Sequence, residues 1–131
     1  MAKILVVDDD EIVLELLKDF IGGLGHEVYT APDPVSFLAR VKLISPDIVI
    51  MDLQMPAGGA DVAVAALQAS ESLRGIPLLF CTSIPLEEAR RRFPESPLRR
   101  YASKPIDFPS FVEKLDILLV EAGRLKAGPK P

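Results

Sequence analysis

Residues 4–11 read ILVVDDDE, a run of four apolar residues that leads directly into four carboxylates. The apolar half is short and rich in β-branched side chains, which predicts a strand buried on both faces, as in a parallel sheet. Carboxylates this close together repel one another and raise one another's pKa unless a cation shares their site. The stretch therefore indicates either a loop that is acidic by chance or a metal site at the end of a buried strand.

Similar strand-like runs recur along the chain and alternate with helical patterns. The predicted strands are residues 3–8, 26–31, 47–52, 76–82 and 98–104. Apolar stripes, caps and prolines predict helices at 11–22, 34 to about 41, 61–69, 86–93 and about 107 to 122. Five strand–helix units predict a doubly wound α/β fold, with a five-stranded parallel sheet and helices on both of its faces.

Composition narrows the class of protein. A chain of 131 residues, 49% of them hydrophobic, suits one folded domain. The longest apolar runs are too short to cross a bilayer, and the net charge of −4 argues against direct nucleic-acid binding. The single cysteine, Cys81, fits a reducing cytoplasm. We expect a cytoplasmic protein with one domain over residues 1–122 and a flexible tail or linker stub over 123–131.

Polar residues end four of the predicted strands. Asp8 and Asp9 follow the first strand, Asp52 ends the third, Thr82 the fourth and Lys104 the fifth. The carboxyl ends of parallel strands meet at one edge of the sheet, where ligands bind in folds of this class. Each of these residues alone is common in a turn. Four segments that each bring one to the same edge indicate a site.

The residue types at this edge suit phosphate chemistry assisted by a metal. Mg²⁺ prefers oxygen ligands and is commonly held by one or two carboxylates together with a phosphate. Asp9 and Asp52, with Asp8 bound directly or through water, form such a half-shell. An aspartate can attack phosphorus and carry the phosphoryl group as an acyl phosphate. Lys104 and Thr82 can then neutralise or hydrogen-bond the phosphoryl oxygens.

The sequence resembles the receiver domain of two-component response regulators over about residues 3–122. The resemblance is carried by ILVVDDDE (4–11), DIVIMDLQMP (47–56), PLLFCTS (77–83) and YASKP (101–105), in this order and at matching spacings. It implies a flavodoxin-like (βα)₅ fold with strand order 2-1-3-4-5. It also implies that Asp52 is the phosphorylated residue, and that Asp52, Thr82 and Lys104 are the catalytic residues.

The resemblance further implies a metal site, a switch and partners. Asp8, Asp9, Asp52 and the backbone carbonyl of Gln54 would hold Mg²⁺. Thr82 and Tyr101 would form the switch, with the Tyr101 ring turning inward after phosphorylation. The phosphoryl donor would be a sensor histidine kinase or a histidine phosphotransfer protein. Output would pass through the fourth helix, fifth strand and fifth helix to a protein partner, to an effector domain absent from this sequence, or to a second copy in a homodimer.

Two interpretations compete with this one. A binding-only pseudo-receiver is disfavoured by the intact set Asp8, Asp9, Asp52, Thr82 and Lys104. A small haloacid-dehalogenase-like phosphatase would use VVDDD (6–10) as its nucleophile motif, but no acidic pair ends a strand after Lys104 and the chain is short for that fold. A receiver domain instead catalyses only its own phosphorylation and dephosphorylation.

Five arginines between residues 90 and 100 indicate either a solvated surface or a docking patch for an acidic partner.

The sequence departs from the usual receiver pattern at several positions. They are Gly58 and Ala60 in the loop after Asp52, Ser83 after Thr82, and SPLRRY (96–101) before and at the switch aromatic. The first pair leaves the start of the third helix open. The last predicts an unusual shape for the surface between the fourth helix and the fifth strand.

Overall fold

Five parallel strands form one sheet in the order β2-β1-β3-β4-β5, which confirms the predicted fold. The computed structural model describes residues 2–55 and 59–127. The strands are β1 (Lys3–Val7), β2 (Glu27–Ala31), β3 (Ile48–Met51), β4 (Leu78–Thr82) and β5 (Arg99–Ser103). Val7, the last residue of β1, pairs with Ala31 at the end of β2 and with Met51 at the end of β3. The strand ends are therefore level, so whatever follows them shares one edge.

A helix follows each strand and covers one face of the sheet. The helices are α1 (Glu11–Gly23), α2 (Pro34–Ile44), α3 (Gly59–Ala69), α4 (Leu86–Arg92) and α5 (Phe108–Ala127). Asp33 caps α2 by accepting a hydrogen bond from the Ser36 backbone N–H at 2.7 Å, as its place before Pro34 predicts. None of the helices in the described residues is both long and apolar enough to span a bilayer.

The core forms two layers because side chains alternate between the faces of each strand. Leu5, Val49 and Phe80 lie in the layer under α2, α3 and α4. Ile4 and Ile50 lie in the layer under α1 and α5. Each layer is made of side chains that are almost fully buried. This explains why the central strands read as nearly unbroken apolar runs rather than as alternating ones.

Three helix boundaries differ from the sequence prediction by two or more residues. Helix α2 continues to Ile44 rather than to about residue 41. Helix α3 begins at Gly59, two residues earlier than predicted, and Gly59 has a φ of +57° that favours glycine. Gly58 lies outside the described residues. Helix α5 continues to Ala127, so the first five residues of the predicted tail are helical. Gly123 does not end α5, because a single glycine inside a helix costs only about 1 kcal/mol and good helix formers follow it. Residues 128–131 lie outside the described residues.

Candidate functional site

The predicted site residues lie at the carboxyl edge of the sheet because backbone pairing continues past the strands. The Asp8 N–H donates to the Ala31 carbonyl at 3.2 Å, and the Asp52 N–H donates to the Val7 carbonyl at 3.0 Å. The Lys104 N–H donates to the Thr82 carbonyl at 2.9 Å. These bonds fix the backbone that carries each side chain, so the site is built on the rigid part of the fold.

Three carboxylates form a tight cluster at this edge. Asp8, Asp9 and Asp52 each offer an oxygen within 4.8 Å of the others, with Asp8 and Asp52 buried and Asp9 exposed. The Asp10 N–H donates to Asp8 Oδ1 at 2.9 Å, and the Gln54 N–H donates to Asp52 Oδ1 at 3.0 Å. One oxygen of each buried carboxylate is thus bound to the backbone, which orients the other oxygen.

Lys104 joins the two buried carboxylates. Its Nζ lies 2.6 Å from Asp8 Oδ2 and 3.3 Å from Asp52 Oδ2. Burial lowers the pKa of Lys104, but the adjacent Asp8 and Asp52 carboxylates outweigh it, so the pKa lies above its ordinary value. Burial raises the pKa of Asp8 above its ordinary value, although the hydrogen bond from Lys104 opposes this. One ammonium group therefore compensates two carboxylates incompletely.

The four carboxylates at residues 8–11 have different roles. Asp8 lies in the buried pair and Asp9 faces solvent beside it. The Asp10 side chain accepts from the N–H groups of Ile12 and Val13 and caps α1, and Glu11 lies in the first turn of that helix. Asp10 as a cap was not predicted, although an aspartate directly before a helical pattern is its usual signal.

The donor set fits a hard divalent cation. It offers carboxylate oxygens and no thiolate or imidazole, and carboxylate oxygens are the ligands that Mg²⁺ prefers. Gln54, whose backbone carbonyl was predicted as a ligand, lies two residues after Asp52 and donates its backbone N–H to that carboxylate. Its side-chain Oε1 accepts a hydrogen bond from Ser83 Oγ at 3.1 Å. This Gln54–Ser83 contact at the mouth of the site was not predicted.

Thr82 is the last residue of β4, and Tyr101 lies in the middle of the neighbouring strand β5. Thr82 is fully buried, and its Oγ1 accepts a hydrogen bond from the Ile84 N–H at 3.1 Å. The Tyr101 ring is also buried, and its hydroxyl donates to the carbonyls of Ala89, at 3.0 Å, and Phe93. The sequence predicted a ring that turns inward after phosphorylation. In this structure the ring already lies inside. It stacks on Phe80, and its hydroxyl donates to one carbonyl in α4 and to the carbonyl of the residue that caps the C-terminus of α4.

Replacing Tyr101 with phenylalanine is expected to lower the free energy of unfolding by about 1–2 kcal/mol. The change removes a buried hydroxyl donor from the carbonyls of Ala89 and Phe93, of which Ala89 keeps the bond from the Phe93 N–H. Urea denaturation measures the loss. The matched control is Tyr29→Phe, whose hydroxyl bonds Glu27 in solvent and whose removal should change stability by less than about 0.5 kcal/mol. Equal effects in the two variants would contradict a role for the Tyr101 hydroxyl in holding α4.

The arginines between residues 90 and 100 do not form one uniform patch. Arg90 forms an ion pair with Glu95, and Arg92 pairs with Asp61 at 2.7 Å. The Arg99 guanidinium lies over the Phe93 ring, 5.8 Å from its centroid. Two of the five predicted patch residues are therefore paired within the chain. The Arg92–Asp61 bridge joins α4 to α3 across 31 residues, and no local sequence signal predicts it.

Comparison with protein families gives one match that covers most of the chain. The model of the response regulator receiver domain matches residues 4–116. The polar-differentiation response regulator DivK of Brucella ovis is 28% identical over 120 residues, which cover 92% of this chain and 98% of DivK. The Brucella anthropi DivK is 27% identical over the same share of both chains.

Solved structures show the same fold. A putative response regulator from Chloroflexus aurantiacus aligns with a TM-score of 0.83 at 24% identity, covering 91% of this chain and 98% of its own. The Vibrio cholerae chemotaxis protein CheY4 aligns with a TM-score of 0.79 at 23% identity, covering 90% of this chain and 98% of its own. At these identities the likeness concerns the fold alone, and the family assignment comes from the sequence match.

Proposed function

The chain belongs to the response regulator receiver domain family, and on that premise we propose that it accepts a phosphoryl group on Asp52 in a reaction that requires Mg²⁺. The observation that carries the proposal is the position of Asp52. Its carboxylate is buried, touches Lys104 and shares a cluster with Asp8 and Asp9. An isolated turn aspartate has no such surroundings.

The proposed donor is a phosphohistidine on a sensor histidine kinase or on a histidine phosphotransfer protein. A carboxylate oxygen of Asp52 attacks phosphorus, and a P–O bond forms as the P–N bond to the imidazole breaks. The electron pair of the P–N bond stays on the imidazole nitrogen, which leaves as neutral histidine after protonation. The product is an acyl phosphate on Asp52, which water later hydrolyses to regenerate the carboxylate and release inorganic phosphate.

The side chains around Asp52 have distinct tasks in this proposal. Asp8 and Asp9, with Asp52 and the Gln54 carbonyl, would hold Mg²⁺, which when bound offsets the negative charge that keeps a carboxylate and a phosphoryl group apart. Lys104 already contacts Asp52 and supplies a positive charge to one phosphoryl oxygen. The backbone N–H of Gln54 fixes Asp52 Oδ1, so the other oxygen is the one oriented for attack.

Mg²⁺ is expected to bind weakly, because the protein supplies only a half-shell of oxygens. Asp9→Ala should weaken Mg²⁺ binding at least tenfold and lower phosphorylation by acetyl phosphate at limiting Mg²⁺, as measured by calorimetric titration and intact mass. The metal-free variant should be equally stable or more stable, because one member of a like-charged cluster is gone. A destabilised Asp9→Ala variant with unchanged Mg²⁺ affinity would make Asp9 a structural residue instead.

We infer that Thr82 and Tyr101 transmit the phosphorylated state. The Thr82 hydroxyl accepts from the Ile84 N–H and keeps its own proton to donate, so a new dianion at Asp52 would draw in this hydroxyl and with it the loop before α4. That loop leads to Ala89, whose carbonyl accepts from Tyr101. Since the Tyr101 ring is already inside, the change on phosphorylation would be a displacement of α4 around a fixed ring.

Amide hydrogen exchange with and without beryllofluoride and Mg²⁺ tests this switch. Protection is expected to change mainly between residues 82 and 104, which span the loop after Thr82, α4 and β5. Asp52→Asn, which lacks the carboxylate that beryllofluoride needs, is the control and should show no change. A uniform response over the whole chain would rule out this route while leaving the phosphorylation chemistry intact.

Output is proposed to pass through the surface formed by α4, β5 and α5. The receiver would signal there to a protein partner, to an effector domain, or to a second copy of itself. The relatives named above include a polar-differentiation and a chemotaxis regulator, so the family context does not select one output. We also propose that the protein works in the cytoplasm, where its buried free thiol at Cys81 would stay reduced.

A further inference from the structure

A cleft of about 170 Å³ lies between α3 and β5, at the edge of the sheet opposite the carboxylates. It exists because α4 is short. The seven residues of α4 rise about 10 Å, whereas the five residues of β4 beneath it span about 16 Å. The start of β4 and β5 is therefore covered by the irregular segment 93–98. This segment includes the first half of SPLRRY, which was the stretch that departed from the receiver pattern.

The floor of the cleft is apolar. Val64 and Leu67 of α3, Leu78 of β4 and Leu98 line it. The volume lies below the roughly 300–1,000 Å³ of pockets that hold drug-sized ligands. The cleft is therefore suited to a single apolar side chain rather than to a whole small molecule.

Two arginines flank this floor, and both are held in place. Arg74 Nε donates to the Gln68 carbonyl at 2.9 Å, which leaves the terminal nitrogens of its guanidinium group as further donors. Arg99 is held over the Phe93 ring. Within residues 2–55 and 59–127, neither arginine forms an ion pair, in contrast to Arg90 and Arg92. These two arginines give the cleft a positively charged rim, whereas the whole chain has a net charge of −4.

We propose that this cleft binds an acidic peptide segment of a partner protein, which inserts one apolar side chain between α3 and β5 and places carboxylates on Arg74 and Arg99. Guanidinium groups that are already positioned lose little side-chain entropy on binding, and they match carboxylates in geometry. The cleft lies at the far edge of the sheet from Asp52, so this proposal does not rest on the phosphorylation proposed above.

The test titrates the unphosphorylated full chain with the peptide acetyl-Glu-Asp-Leu-Asp-Glu-amide and follows the backbone amides by NMR. Saturable shifts are expected at Leu67, Leu98 and Arg99, and they should weaken with rising salt. Arg74→Gln and Arg99→Gln should each weaken binding on the order of fivefold, as for one exposed ion pair. Arg91→Gln removes the same charge from α4, outside the cleft, and should bind like the wild type. Replacing the central leucine of the peptide with serine should also weaken binding.

Other outcomes would overturn the proposal. Absence of saturable shifts at these residues with millimolar peptide would exclude the site. Equal binding by the wild type and the two cleft arginine variants, each shown to be folded by circular dichroism, would exclude the charge recognition. N-acetyl-leucine that binds as tightly as the peptide would identify a site for a small organic acid rather than for a partner segment. Acetyl phosphate labelling of the same samples reports separately on the proposed chemistry at Asp52.

Discussion

Asp52→Asn is expected to abolish phosphorylation of the protein by acetyl phosphate and Mg²⁺. An amide has no anionic oxygen to attack phosphorus and cannot form the acyl phosphate. The substitution is nearly isosteric, so the Gln54 N–H can still donate to the side-chain oxygen that replaces Asp52 Oδ1. Removing one of two buried carboxylates that share Lys104 also relieves repulsion, so the variant should remain folded. Loss of labelling would then report on chemistry rather than on stability.

The control for this experiment is Asp19→Asn, which removes one exposed carboxylate from α1. It should take up one phosphoryl group to the same extent as the wild type, as measured by intact mass spectrometry. Undiminished labelling in Asp52→Asn would show that Asp8 or Asp9 is the nucleophile, and the assignment of Asp52 would be wrong.

Lys104→Met is expected to lower the free energy of unfolding of the metal-free protein at neutral pH by about 3 kcal/mol. The Lys104 ammonium contacts both Asp8 and Asp52, whose side chains are only 3% and 8% exposed. Its removal leaves two buried carboxylates side by side without a positive charge, and breaking a buried pair in this way is strongly destabilising. Methionine keeps most of the side-chain volume, so the loss reflects charge rather than a cavity.

Urea denaturation in the presence of a chelator measures this effect, and Lys18→Met on the exposed side of α1 is its control. Lys18→Met should change stability by less than about 0.5 kcal/mol. Added Mg²⁺ should restore part of the stability of Lys104→Met, because a cation that binds only the folded state stabilises it. If the Lys104→Met variant is as stable as the wild type without metal, a group other than Lys104 compensates the charges of Asp8 and Asp52.

The sequence predicts the fold and the convergence of the site because both follow from short patterns. Apolar runs such as residues 4–7 and 48–51 are typical of strands covered on both faces, and their alternation with helices implies a parallel sheet. Once the sheet is parallel, Asp8, Asp52 and Lys104 must lie at one edge. The strand order 2-1-3-4-5, which brings these side chains into contact, is implied by the resemblance to receiver domains rather than by these patterns.

The features that the sequence does not predict depend on contacts between distant segments. The Tyr101 ring lies inside because Phe80 and the end of α4 offer it a stacking surface and two carbonyls. The Arg92–Asp61 bridge depends on how α3 and α4 face each other. The extension of α5 past Gly123 has a different cause, since a local stop signal was outweighed by the helix formers that follow it.

Peptide mapping after borohydride reduction tests the central claim most directly. Borohydride reduces an acyl phosphate on aspartate to homoserine, so it marks the phosphorylated residue permanently. The wild-type chain, treated with acetyl phosphate and Mg²⁺ and then reduced, is expected to carry this change at position 52 alone. Without Mg²⁺ the change should disappear. Homoserine at position 8 or 9, or an unmodified chain in the presence of Mg²⁺, would contradict the assignment of Asp52 as the phosphoryl acceptor.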